Sequence, residues 1–273
     1  MADLDTRSVS ARLQLEVDET EPADIILQLA VAEDESLALT ERFTVIGPDG
    51  ALDAQVVAMP YSGRAHRFTA RPGSYEVTYT ASVSGRAAPA RVTDSDAILF
   101  LRPSRYAESD RLVATAAREF AGISEPRELV AAVTSWVGTR LTYLPGSSRP
   151  TDGSVEALLS REGVCRDYAQ LVIALLRARD IPARIAAVYA PGLSPMDFHA
   201  VAEVAIDDEW YVVDATMLAP RQSLVRISTG RDAADTAFLS TYGGHVTLLD
   251  TRVSAVVAGS LPADDVKSLV QLG

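Results

Sequence analysis

Near Pro103 the apolar residues change their period, and that change divides the chain into two kinds of structure. Before it, residues 9–17 (VSARLQLEV) and 25–31 (IILQLAV) alternate apolar and polar side chains, as half-buried strands do. The segments RFTVIG, AQVVAMPY, HRFTARPG and YEVTYTASVSG are short and rich in β-branched and aromatic residues. They are separated by Gly47-Pro48-Asp49-Gly50, Ser62-Gly63 and Pro72-Gly73. About five to seven such strands at roughly ten-residue spacing predict an antiparallel β-sandwich-like domain over residues 1–103.

Beyond Pro103 the pattern becomes helical. Leu112, Val113, Ala116, Ala117 and Phe120 recur on one helix face, and Leu129, Val130, Val133, Trp136 and Val137 on a second. Residues 146–150 read as a loop, and Ser154 reads as the N-cap of a short helix through Leu159. A longer helix is predicted from Val164 to Ala178: Val164, Tyr168, Leu171, Val172, Leu175 and Leu176 form one stripe, and Ile181-Pro182 stops it. ARIAAVYA, HAVAEVAI and EWYVVDAT then read as strands. Further on, VRIST reads as a strand, RDAADTAFLSTY as a helix, and VTLLDTRVSAVVAG as one or two strands. The fold class is therefore α+β. A catalytic domain is expected over 104–250, with residues 251–273 as a strand and tail packing on its core.

Bulk properties narrow the function. The longest apolar runs, such as Leu171 to Leu176, fall far short of the ~20 residues that cross a bilayer. The opening MADLDTRSVSARLQLEVDE has mixed charge and no apolar stretch of the export-signal kind, so no membrane partner and a cytoplasmic location are expected. A formal charge of -12 opposes a phosphate backbone, so nucleic acid is not an expected partner. Three scattered histidines and one cysteine give no metal-ligand spacing, and no nucleotide-binding glycine pattern is present. No metal and no cofactor are expected.

The lone cysteine is either packing or chemistry. Cys165 opens the longer helix in the run Gly163-Val164-Cys165-Arg166-Asp167-Tyr168. Free N–H groups and partial positive charge at a helix start favour a thiolate and can hold the oxyanion that forms when it attacks a carbonyl. His199 opens the strand HAVAEVAI and Asp214 ends WYVVD. If Asp207 and Asp208 form a two-residue turn, Ile206 faces Glu209, Val201 faces Asp214 and His199 faces Thr216. His199 and Asp214 are then diagonal neighbours on one face, with Cα atoms about 7 Å apart. An odd-length turn would place them on opposite faces. Taken singly, each residue has an ordinary structural explanation; together they have the parts of a Cys-His-Asp catalytic triad.

The run GVCRDYAQLVIALLRARDIPAR, with DFHAVAEV and EWYVVDAT after it, resembles the transglutaminase-like superfamily, in particular bacterial transglutaminase-like cysteine peptidases with an N-terminal β domain. LRPSRYAESDRL and GRDAADTAFLSTYGG resemble the same branch. The resemblance implies a papain/transglutaminase-like core, in which a helix carrying the Cys packs on an antiparallel sheet carrying the His and Asp. It places the nucleophile on Cys165, the general base on His199 and the orienting acid on Asp214. Two positions depart from related sequences, which often have His where Gln170 stands and an aromatic residue where Val201 stands; these affect shape and substrate selection before reaction type.

Tyr143, Arg166 and Asp167 are further candidates for substrate or oxyanion contacts, although packing explains Tyr143 and support of the helix start explains the other two. His66 and His245 read as structural or exposed. The expected activity is cysteine-dependent acyl transfer on a protein, peptide or small amide substrate through a thioester. Hydrolysis is preferred because no feature marks an amine pocket and the resembling branch is peptidase-like. The alternatives are an amine-accepting transglutaminase or acyltransferase, and a catalytically idle binding module.

Overall fold

The computed structural model describes residues 6–18, 21–266 and 268–273; the first five residues of the opening segment lie outside the described residues. Seven strands come first: β1 (Thr6–Val17), β2 (Ala23–Leu27), β3 (Ala38–Gly47), β4 (Gly50–Leu52), β5 (Gln55–Ala58), β6 (Arg64–Ala70) and β7 (Gly73–Ser84). Helices α1 (Asp94–Leu99), α2 (Ser109–Glu119) and α3 (Pro126–Arg140) follow. Next come the two-residue β8 (Thr142–Tyr143), α4 (Ser154–Ser160), the two-residue β9 (Glu162–Gly163) and α5 (Cys165–Arg177). Strands β10 (Ala183–Tyr189), β11 (His199–Ile206), β12 (Glu209–Val213), β13 (Val225–Gly230), β14 (Leu239–Gly243) and β15 (Val246–Val257) complete the order. No helix among the described residues is long and apolar enough to cross a membrane.

The alternation seen in the first hundred residues builds two antiparallel sheets, ordered β15-β1-β7-β3-β4 and β14-β2-β6-β5. Val9, Ala11, Leu13, Leu15 and Val17 all point inward from β1 and meet Ile25, Leu27, Phe68, Val77 and Tyr79 in one core. Burying such side chains contributes on the order of 1.5–3 kcal/mol each, which makes the period-2 pattern decisive for which face turns inward.

In the second unit α2, α3 and α4 surround α5, which packs on a four-stranded antiparallel sheet ordered β12-β11-β10-β13. The stripe Leu171 to Leu176 is buried against Ala202, Val204 and Ile206 of β11. The α5 start is held by Asp167, whose carboxylate accepts the Val164 N–H at 2.8 Å, so a side chain partners a backbone group that the helix leaves open.

Four sequence expectations are corrected. Ser154 is the first residue of α4 and Gly153 its N-cap. The Ser154 N–H and Oγ–H both donate to Glu108, which turns the serine away from a capping role. Residues 94–99, within the span expected to be an antiparallel β domain, form α1 because Thr93 and Asp96 make a reciprocal capping box. Residues 231–242, read as a helix, are a turn followed by β14. Asp235 accepts from the Arg231 backbone and guanidinium, Asp232 accepts from Ala234 N–H, and these local bonds compete with the helical ladder.

The fourth correction concerns the linear division at residues 103 and 250. Strand β14 pairs with β2 and β15 with β1, so residues 239–257 complete the two N-terminal sheets rather than the domain expected over 104–250. Local alternation says that a segment is a strand and nothing about a partner more than two hundred residues away. The segment after β15 crosses to the second unit: Val270 accepts the Val212 N–H at 2.8 Å, and Val270 and Leu272 fill a cluster with Val188, Val201 and Val212. Arg221 grips this strap through Asp264 and the carbonyls of Asp265 and Ser268.

The two units are joined by buried polar groups. The Tyr189 hydroxyl donates to the Leu29 carbonyl at 2.8 Å, and the Ala32 N–H donates to the Arg226 carbonyl at 2.9 Å. Beside them Glu203 of β11 accepts from Arg184 (2.9 Å) and Arg226 (2.6 and 2.7 Å), with the Arg184 guanidinium 3.9 Å from the Trp210 ring centre. Burial would neutralise Glu203, but Arg226 and Arg184 outweigh it and hold its carboxyl at about 2.

Candidate active site

Cys165 is the first residue of α5 and is half-buried. Its Sγ lies 4.0 Å from the carbonyl oxygen of Phe198, the residue that precedes β11. Parallel pairing of β8 with β9 brings Tyr143 alongside the segment leading into α5. Tyr143 packs at 6.0 Å on the Tyr168 ring, whose hydroxyl is fixed to the Leu141 carbonyl. Burial, and after it the charge of Cys165, pushes the Tyr143 hydroxyl up to about 12, so it carries its proton at neutral pH. The hydroxyl is near enough to Cys165 for that residue to shift it, which puts a hydrogen-bond donor in the neighbourhood of the thiol.

The hairpin register decides the other half of the site. Asp207 and Asp208 both adopt left-handed backbone, φ 52° and 61°, as the two centre residues of a type I′ turn do. Ile206 consequently faces Glu209, and Ala202 faces Val213. Continuing by one pair opposes Val201 to Asp214, which makes His199 the diagonal neighbour of the carboxylate. The His199 Nε2 and Asp214 Oδ2 are 2.7 Å apart, and both side chains are almost wholly buried. The second carboxylate oxygen accepts from Thr216 N–H at 2.9 Å and from its hydroxyl at 2.6 Å, which fixes the carboxylate plane.

Burial disfavours a charged imidazole, yet Asp214 outweighs it, and with a smaller contribution from Cys165 the His199 pKa is raised to about 10. Asp214 responds in the opposite sense. Burial would raise its pKa, but His199 and Thr216 hold it below the usual carboxylate range. With Nε2 committed to Asp214, Nδ1 is the nitrogen left for Cys165; it is buried and makes no hydrogen bond in the resting geometry. A cysteine, a histidine near enough to feel it and an aspartate holding that histidine are thus assembled from one helix and one hairpin.

The other sequence candidates are placed as follows. Arg166 reaches Ser148 Oγ (2.5 Å) and the Arg149 carbonyl (2.6 Å), tying the 146–150 loop to the helix start. Asp167 caps α5 and accepts from Ser148. Gln170 and Val201 are buried in α5 and β11. His66 lies in β6, stacked on Phe43 at 3.8 Å, where burial and then Arg64 push its pKa down to about 4. His245 is exposed in the short link before β15. Neither shares an element with Cys165.

Sequence reasoning missed Thr216 and Gly138. The spacing Asp-x-Thr at 214–216 is a local signal for side-chain–backbone bonding of this kind. Gly138 of α3 had no signal: a Cβ there would come 2.8 Å from the Ala215 carbonyl, next to the orienting aspartate.

The chain superposes with a TM-score of 0.87 on a crystal structure from Cytophaga hutchinsonii, at 30% identity over 97% of this chain and 93% of the other. That protein is provisionally named a cysteine protease. The sequence profile of the transglutaminase-like superfamily matches residues 114–215, a span that holds Cys165, His199 and Asp214. This chain belongs to the transglutaminase-like superfamily. Among curated proteins it is similar to the uncharacterized protein ML0607 of Mycobacterium leprae, 29% identical over 56% of this chain and 58% of that one. It is also similar to the uncharacterized protein Rv2569c of Mycobacterium tuberculosis, 36% identical over 40% of this chain and 39% of that one. The chain spans about half the length of these curated relatives. The transglutaminase-like core thus sits, in this chain, beside an N-terminal β-sandwich that the matched profile does not include.

Proposed function

We propose that this transglutaminase-like protein is a cysteine hydrolase acting on amide or peptide bonds, with Cys165 as nucleophile, His199 as base and acid, and Asp214 as orienter. The observation that carries the reading is the buried His199–Asp214 pair at 2.7 Å, which leaves the second imidazole nitrogen for the only thiol in the chain. The Cys165 proton passes to His199 Nδ1 and the thiolate adds to the acyl carbon. The oxyanion is held by N–H groups at the α5 start and by the Tyr143 hydroxyl. Collapse breaks the C–N bond, and the His199 proton leaves on the departing amine or ammonia. Water then adds to the thioester, giving up a proton to His199, and releases the acid with the thiol restored.

A cysteine-protease name on the similar Cytophaga protein supports water as the acceptor over an amine. The experiment is incubation with peptides containing Gln, Asn and isopeptide bonds, with and without a primary amine, read by mass spectrometry. Chain cleavage or ammonia release that disappears in Cys165→Ala is expected. Amine incorporation outpacing hydrolysis would make the protein a transglutaminase. Turnover that survives Cys165→Ala would end the proposal.

A further inference from the structure

The segment that delivers His199 passes directly by the thiol, since the Phe198 carbonyl is 4.0 Å from Cys165 Sγ. One residue earlier, Asp197 stands exposed. Its Oδ1 accepts the Phe198 N–H at 2.7 Å, which fixes the carboxylate against the residue that touches the nucleophile. Several acidic groups are matched by cations, Glu203 by Arg184 and Arg226, Asp235 by Arg231, and Asp264 by Arg221. Among the described residues none pairs with Asp197. The basic residue next to the nucleophile, Arg166, is turned to Ser148 and the Arg149 carbonyl. The Asp197 charge is nevertheless felt inside the site, where it adds to the upward shift of the Tyr143 hydroxyl.

We propose that Asp197 makes the mouth of the Cys165 site cation-selective, so that the favoured substrate brings a lysine- or arginine-like positive group beside the reacting acyl carbon. The inference rests on Cys165 being the reacting group. A carboxylate about 7 Å from an incoming unit charge in water changes its local concentration about threefold, and so separates a cation from an anion about sevenfold. Salt weakens the effect.

The single cysteine allows a test that needs no turnover. Cys165 is modified with cationic trimethylammonioethyl and anionic sulfonatoethyl methanethiosulfonates, and the ratio of the two rates is compared between the native protein and Asp197→Asn. Asparagine keeps the Oδ1 acceptor for Phe198, so the loop is preserved. The ratio should fall about sevenfold in the variant at low ionic strength and converge with the native value in 1 M salt, where the Debye length is about 3 Å. A ratio that Asp197→Asn leaves unchanged overturns the proposal.

Protection from labelling then locates the cation. Slowing by a capped Arg-Gln peptide but not by its norleucine counterpart puts it on the acyl donor, and slowing by cadaverine puts it on an acceptor amine. Equal slowing by the arginine and norleucine peptides, with none by cadaverine, refutes recognition of a cation. The function is read separately: neutral iodoacetamide labelling that ignores His199→Ala would refute the triad while leaving the charge ratio measurable.

Discussion

Replacing Asp214 by asparagine removes one charge and almost no volume, and its effect follows from three hydrogen bonds. Asparagine keeps an oxygen for the two Thr216 bonds but presents an NH₂ group to His199 Nε2, 2.7 Å away. Two donors cannot share that contact, so the imidazole must carry its proton on Nδ1, the nitrogen facing Cys165, and can no longer take the thiol proton. The pull that raises His199 to about 10 also disappears, leaving burial to favour the neutral ring.

An unassisted thiol with a pKa of about 8.5 is only about 0.3% thiolate at pH 6, so full loss of the ion pair costs up to about 300-fold in thiolate population. The lower nucleophilicity of an activated thiolate returns part of that. We expect iodoacetamide to label Cys165 at pH 6 at least about 20-fold more slowly in Asp214→Asn. Turnover should fall about 10³- to 10⁴-fold. The difference between the two proteins should narrow as pH rises towards about 8.5, where an unassisted thiol ionises by itself. Labelling within twofold of native at pH 6, with an unchanged circular dichroism spectrum, would refute the reasoning.

Other perturbations follow from the same geometry. Glu203→Gln strands Arg184 and Arg226 without their buried partner and should cost about 3–5 kcal/mol in urea unfolding. Because Glu203 is held at about 2, its contribution is complete above the unfolded value near 4.5 and is lost as pH falls from there towards 2, so the gap to Glu203→Gln should narrow over that interval. His199 is shifted upward, so its share of stability is complete below pH 6.5 and is lost as pH climbs through about 10. Asp214 is shifted downward, so its share is complete above its unfolded value and lost in acid; urea titrations of native protein against Asp214→Asn should therefore differ most between about pH 4 and 6.5. Gly138→Ala should push on the Ala215 carbonyl, costing about 1–3 kcal/mol of stability and lowering kcat beyond what the folded fraction explains. Arg221→Ala should release the 258–273 strap, seen as faster limited proteolysis within those residues and about 2–3 kcal/mol lower stability.

The placement of Cys165, His199 and Asp214 was legible where chemistry and local geometry coincide. The α5 stripe and the Ile181-Pro182 stop locate Cys165 at a helix start, and Asp207-Asp208 is a turn whose even length fixes the His199–Asp214 diagonal. What local sequence could not carry was pairing at a distance. The alternation in residues 246–257 reads the same whether the strand joins β13 or β1, and only the buried inner row of β1 selects the latter. The mistaken helix at 231–242 failed for a different reason: Asp232 and Asp235 offer the backbone local partners that periodicity does not register. Asp197 escaped notice because an exposed carboxylate before a strand looks like any surface acid until the thiol behind it is located.

The pairing of β1 with β15 makes the transglutaminase-like unit an insertion in the sandwich, entered after β7 and left before β14. Residues 85–238 are therefore leashed at both ends to one scaffold. During synthesis α5, which carries Cys165, emerges while two strands of that scaffold are still missing, and β1 waits with an open edge until residues 246–257 arrive. Closing a loop of this span costs entropy that no local contact offsets, so completion of the sandwich should be a late event in folding. A cut between the units would leave β14 and β15 joined to the sandwich by their pairing with β2 and β1 and by the shared apolar core, so the inserted unit cannot be isolated by trimming either end.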